Sequence, residues 1–125
     1  MIASDGGIMA PGDNRPHPRN YGAFAKVLGE FVRERKLLPL ATAIHKMTRM
    51  PADRINIDDR GRIEEGAFAD IAVFDPDEII DTATFEDPHQ YALGVHHVLV
   101  NGVPVLVDKA MTGARPGRVL RANRP

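Results

Sequence analysis

Val95-His96-His97-Val98-Leu99-Val100-Asn101-Gly102-Val103-Pro104-Val105-Leu106-Val107 is two apolar runs joined by an Asn-Gly pair. Asn and Gly both tolerate positive φ, so the pair predicts a two-residue turn, and the β-branched residues on either side predict the strands of a hairpin. Pro104 has no N–H to give a ladder, so its N side should face an edge or solvent. Upstream, Asp70-Ile71-Ala72-Val73-Phe74-Asp75 is stopped by Pro76 and reads as another strand, and Arg62-Ile63-Glu64 as a shorter one. Ile80 to Tyr91 reads as irregular surface structure. Residues 62 to 107 are therefore expected to form a small, largely antiparallel sheet.

Before residue 58 the periodicity changes. Phe24, Val27, Leu28, Phe31 and Val32 recur at helical spacing between Tyr21 and Arg35, one apolar face of a helix. Pro39 suits the first turn of a second helix, Leu40 to Arg49, in which Leu40, Ala43, Ile44 and Met47 repeat that spacing. Pro51 should open a third turn with Ala52 and Ile55 pointing inward. The start, Met1-Ile2-Ala3, reads as a strand end running into a long loop that closes at His17-Pro18-Arg19. The fold class expected is α+β, with residues 1–57 forming one part and residues 58–125 the other.

The chain has 125 residues, 43% of them apolar, with 16 Lys+Arg against 17 Asp+Glu, as expected of a single soluble domain. A formal net charge of -1 provides no field to attract a phosphate backbone, so no nucleic-acid partner is expected. The arginines of the tail, Arg115, Arg118, Arg121 and Arg124, read as a solvated terminus. With no cysteine, disulfides, thiolate catalysis and Cys-ligated zinc are excluded within the chain. No apolar run approaches the ~20 residues that span a bilayer, and no basic region follows Met1, so a cytoplasmic protein with no membrane partner is the default.

Asp5 follows an apolar run and precedes two glycines. From spacing alone it reads first as a carboxylate that caps a turn; the alternative is a catalytic group at the C-terminal end of a strand, where barrel enzymes place theirs. The histidines offer no ligand set by spacing. His96 and His97 are neighbours on a strand and point to opposite faces, His45 has no partner on its helix face, and His89 is a loop residue. No His-x-His, His-Glu-x-x-His or phosphate-loop motif occurs.

Several segments together resemble the N-acyl-D-amino-acid deacylase (D-aminoacylase) branch of the amidohydrolase superfamily. They are Ser4-Asp5-Gly6, His17-Pro18-Arg19 with Tyr21-Gly22-Ala23-Phe24, Lys46-Met47-Thr48, Arg60-Gly61-Arg62-Ile63, Gly66 to Pro76, Ala83 to His89, Val98 to Gly102, and Pro116-Gly117-Arg118. The Gly66 to Pro76 segment is shared across amidohydrolases. The His-Pro-Arg triplet and Phe85-Glu86-Asp87-Pro88-His89 are narrower and point to the deacylases. The loop from Gly7 to Arg15 departs from the family pattern in length and composition.

The resemblance implies zinc-dependent hydrolysis of the amide bond of an N-acyl-D-amino acid, a small-molecule substrate. It makes Asp5 the carboxylate that carries the proton from water to the leaving amine, and Arg19 the anchor of the substrate's α-carboxylate. His17 shapes the loop. The family's metal ligands belong to segments before position 1, so zinc is expected in the complete enzyme and no metal site within this chain. A (β/α)₈ barrel needs about 250 residues, so the chain is expected to be a C-terminal fragment of such a TIM-barrel enzyme. It would hold the last barrel strand and its helices, then part of the small antiparallel β domain. Such a piece alone should be inactive and should self-associate through uncovered strands. The rival reading is a non-catalytic β module, or a truncated gene product, with a structural or oligomerisation role.

Overall fold

The computed structural model describes residues 1–10, 12 and 14–122; Pro11 and Asp13 of the long loop and Arg124 of the basic tail lie outside the described residues. Contacts divide the chain into two compact units, Ile2–Ala43 with Asp75–Gly94, and Ile44–Phe74 with Val95–Pro125. The shift in composition near residue 58 is a change of element type, with helices before it and strands after it.

In the first unit, α1 (Arg19–Lys26) runs directly into a π-helical stretch, Val27–Glu34. The expected helix is present, but its second half is wound with i→i+5 bonds, as in Arg35 N–H to Glu30 O at 2.8 Å. The wider turn takes the side chains off the 3.6-residue period: Val27 and Leu28 are buried but Phe31 and Val32 only half-buried, while Phe24, in α1, is exposed. Small residues carry the rest of the packing. Gly22, Ala25 and Gly29 are buried, and a Cβ on Gly29 would lie 2.5 Å from the carbonyl oxygen of Ile79. The irregular segment expected from Ile80 to Tyr91 thus lies against the helix backbone, with Ile79 only 3% exposed. Arg33 fastens it, its guanidinium donating to the carbonyls of Pro76 and Ile79 at 3.1 and 2.7 Å. The helix ends with Lys36 at φ 52° and Leu37 N–H donating to Phe31 O at 2.8 Å, an αL closure that satisfies a terminal carbonyl.

Two short helices follow, α2 (Leu40–Met47) and α3 (Arg49–Arg54). Pro51 is the third residue of α3 rather than its opening, and Ile55, expected inside, is 55% exposed. In the second unit an antiparallel sheet runs in the order β1 (Ile71–Phe74), β2 (Val95–Val100), β3 (Val103–Val107) and β4 (Ala110–Met111). The hairpin is as expected, with Asn101 at φ 50° and Gly102 at φ 78°. Pro104 pairs with Leu99 beside a register shift, a place in the ladder where a missing N–H is tolerated. A second tight turn, Asp108 at φ 47° and Lys109 at φ 68°, adds β4, which the sequence pattern did not announce.

Two expected strands are absent. Met1–Ala3 pairs with nothing among the described residues and is irregular. Arg62-Ile63-Glu64 is a bend with Ile63 90% exposed. Gly61 and Gly66 lie at positive φ on either side, and Arg62 donates to Asp53 of α3 at 2.9 Å, which holds the backbone away from a ladder. Among the described residues no helix is long and apolar enough to cross a membrane.

Candidate functional site

In the first unit the irregular start of the chain carries Ala3 into Asp5. Asp5 has φ 50°, a left-handed conformation that aspartate adopts more readily than most residues. The Gly6 N–H donates to Ser4 Oγ at 3.2 Å and the Gly7 N–H to Asn20 Oδ1 at 3.2 Å, so the chain on either side of Asp5 is tied, partly to the start of α1. Arg19 opens that helix. Its backbone N–H donates to His17 Nδ1 at 3.1 Å, and its guanidinium Nη2 lies 3.0 Å from Asp5 Oδ2. The two residues singled out in the sequence are thus together, at the ends of the long loop. Their side chains are 86% (Asp5) and 45% (Arg19) exposed, so the pair is open to solvent.

The loop is held from the other side by Tyr21, Phe85 and His89. His89 bridges Tyr21, whose hydroxyl lies 2.8 Å from Nδ1, and Asn14, whose carbonyl lies 3.1 Å from Nε2. Phe85 meets the His17 ring edge-on, centroids 4.9 Å apart. The signal for these residues was the Phe85 to His89 motif itself.

In the second unit other pieces of the quoted pattern converge. Arg60 is buried, donates to Asp70 Oδ2, and reaches Asn101 Oδ1 at 2.6 Å; its guanidinium lies 4.2 Å from the Phe68 ring centroid. Asn101 N–H donates to Asp70 Oδ1 at 2.7 Å, and Asn101 Nδ2 to the Pro116 carbonyl at 2.7 Å. Arg118 lies 4.9 Å from the same Phe68 ring. This knot sits at one end of the sheet, where β1 begins and β2 turns into β3, and leaves Arg60 committed.

Burial works to raise the Asp70 pKa, but the Asn101 N–H and the Arg60 guanidinium outweigh it and hold the carboxyl below its ordinary value. A carboxylate whose folded pKa is depressed stabilises the fold fully above the unfolded value of about 3.9. That stabilisation is lost as pH falls through the lower folded pKa. Thermal melts between pH 7 and 2 should therefore show the wild-type chain losing stability below about pH 4, with a flatter profile for Asp70→Asn; identical profiles would contradict the pairing.

Three of the histidine rings are already engaged. His89 uses both nitrogens, His17 Nδ1 accepts from Arg19, and His97 faces Asp108, whose N–H donates to Nδ1 at 3.2 Å. His45 is exposed on α2.

The sequence pattern of the amidohydrolase family matches residues 2–106. The chain is similar to a D-aminoacylase from Alcaligenes xylosoxydans xylosoxydans, 51% identical over 120 residues, which covers 96% of this chain and 24% of that protein. Its fold matches a crystal structure of D-aminoacylase with a TM-score of 0.89 and 47% identity, over 97% of this chain and 25% of that one. It also matches an N-acyl-D-glutamate deacylase from Bordetella bronchiseptica, TM-score 0.86 and 45% identity, over 98% of this chain and 25% of the other. That structure was solved with zinc and a phosphonate inhibitor that mimics the tetrahedral intermediate. The chain spans about a quarter of the length of these relatives.

Proposed function

The chain belongs to the amidohydrolase family, and from that premise we propose that it serves the hydrolysis of an N-acyl-D-amino acid, with Asp5 as proton shuttle and Arg19 as carboxylate anchor. The observation that carries the reading is the 3.0 Å approach of Asp5 and Arg19. In an N-acyl amino acid a single carbon separates the scissile amide nitrogen from the α-carboxylate. A group that protonates that nitrogen and a group that grips that carboxylate must therefore lie side by side.

The chemistry follows from what each group can do. Asp5 takes a proton from the attacking water and returns it to the amine as the amide C–N bond breaks. Arg19 offers a planar fork that can bind both oxygens of a carboxylate. Before substrate arrives the fork rests on Asp5; an exposed ion pair of this kind is worth about 0–1 kcal/mol, so a substrate carboxylate can displace it and leave Asp5 free.

In the family a zinc ion lowers the pKa of the water and polarises the acyl carbonyl. By the family resemblance, the zinc ligands belong to the part of the relatives this chain does not span. On the same reading, residues 1–57 are the end of the barrel and residues 58–125 part of its small β domain. Met1–Ala3 would become a strand only beside barrel neighbours.

Arg19→Lys tests the anchor. In a full-length deacylase carrying this segment it should raise KM for N-acetyl-D-methionine by about tenfold or more, the cost of losing a bidentate charged hydrogen bond, with a smaller loss of kcat. An unchanged KM would remove Arg19 from substrate binding.

A second reading, an associating β module, is favoured by the sheet itself. β1 is an edge strand, all six residues of β2 are only half-buried, and Val73, Val103 and Val107 are exposed. Sedimentation equilibrium of the chain over a hundredfold concentration range should show a dimer forming; a monomeric mass throughout would defeat it.

A further inference from the structure

The segment Phe85-Glu86-Asp87-Pro88-His89 contributes no group to the chemistry above, yet it touches the loop that carries Arg19 at two points. We propose that Phe85 and His89 are positioning residues, a clamp that fixes the loop between Asn14 and His17 and so sets where Arg19 receives a carboxylate. The inference rests on the deacylase reading of Arg19.

The clamp is braced before it touches the loop. Thr84 and Asp87 close a turn on themselves, Thr84 N–H to Asp87 O at 3.1 Å and Asp87 N–H to Thr84 Oγ1 at 3.0 Å. Gln90 Nε2 adds bonds to the Asp87 carbonyl and carboxylate, both 3.1 Å, while Ala83 and Pro88 are buried. The segment therefore has its own reasons to hold its shape.

His89 then works in one orientation. The Asn14 carbonyl can only accept, so Nε2 carries the hydrogen, and Nδ1 accepts from the Tyr21 hydroxyl. One ring thereby ties a residue before Arg19 in the loop to a residue after it in α1. Asn14 is at φ 54°, a kink in need of such a partner. Phe85 supports the His17 ring, whose Nδ1 holds the Arg19 N–H at 3.1 Å. Both contacts end within a few residues of Arg19 and neither touches Asp5, so the clamp should act on binding of the carboxylate rather than on proton transfer.

The test is steady-state kinetics of a zinc-loaded, full-length deacylase carrying this segment, with N-acetyl-D-methionine as substrate and Arg19→Lys assayed alongside. Loss of one or two neutral hydrogen bonds in His89→Phe should raise KM about tenfold with kcat changed less than about threefold. Tyr21→Phe, which removes a single oxygen, should raise KM by about fivefold and guards against a folding defect in the first variant. His89→Gln, whose amide nitrogen can reach the Asn14 carbonyl, should recover part of the loss. In the Arg19→Lys background His89→Phe should add little, since there is no longer a fork to place. An unchanged KM in both His89→Phe and Tyr21→Phe, or an equal fall in kcat, overturns the clamp while leaving Arg19 as anchor. An unchanged KM in Arg19→Lys removes Arg19 from substrate binding, and the clamp with it.

Discussion

Asp5→Asn should cut the turnover of a full-length deacylase carrying this segment by about 10² to 10⁴, the range for losing a positioned acid–base group. Zinc content should be unchanged. The substitution isolates the proton because little else depends on it. Asn adopts the left-handed conformation at φ 50° as readily as Asp does. The side chain is 86% exposed, so no buried partner is orphaned. The amide oxygen can still accept from Arg19, which keeps the loop closed, but it cannot take a proton from water. Metal analysis and kcat on N-acetyl-D-methionine check the expectation; near-full turnover with zinc in place would end the assignment of the shuttle to Asp5.

Gly94→Ala should be the most damaging small change to the fold. Gly94 lies at φ +79°, and a Cβ there would stand 2.5 Å from the Ile79 backbone nitrogen and 2.6 Å from its Cα. Both are main-chain atoms, so nothing flexible can yield. Ile79 is also 3% exposed and its carbonyl takes the Arg33 hydrogen bond. Left-handed strain of about 1–2 kcal/mol and overpacking of about 1–3 kcal/mol together predict a loss near 3 kcal/mol. Gly102→Ala is the control. It has nearly the same φ, +78°, but open space around the new methyl group, so it should show the strain alone. Equal denaturation midpoints for the two variants would mean that the chain does not approach Gly94 closely.

What the sequence made legible was what local chemistry decides. The Asn101-Gly102 turn follows from two residues that accept positive φ, and the strands beside it from β-branched runs. The helix from Arg19 follows from its apolar spacing, but neither the π winding after Lys26 nor the close approach of Ile79 to Gly29 does. Glycines carry no apolar signal, and here they are the packing surface. Ile63 misled because a β-branched residue between Arg62 and Glu64 shows the alternation of a strand, while Gly61 and Gly66 at positive φ bend the chain on either side.

At the candidate site the resemblance identified Asp5 and Arg19, and the fold brings them to 3.0 Å. The residues that hold their loop could not be read locally, since His89 reaches Tyr21 across 68 positions of sequence and Asn14 across 75.

On the proposed function, Asp5 handles the amide and Arg19 the carboxylate of the same substrate. The direct measurement compares kcat/KM for N-acetyl-D-methionine with that for its decarboxylated analogue, in the full-length deacylase carrying this segment and in its Arg19→Ala and Asp5→Asn variants. Wild-type enzyme should strongly prefer the carboxylate substrate, Arg19→Ala should abolish that preference, and Asp5→Asn should keep it while both rates fall together. A preference that survives Arg19→Ala, or rates that survive Asp5→Asn, would contradict these assignments.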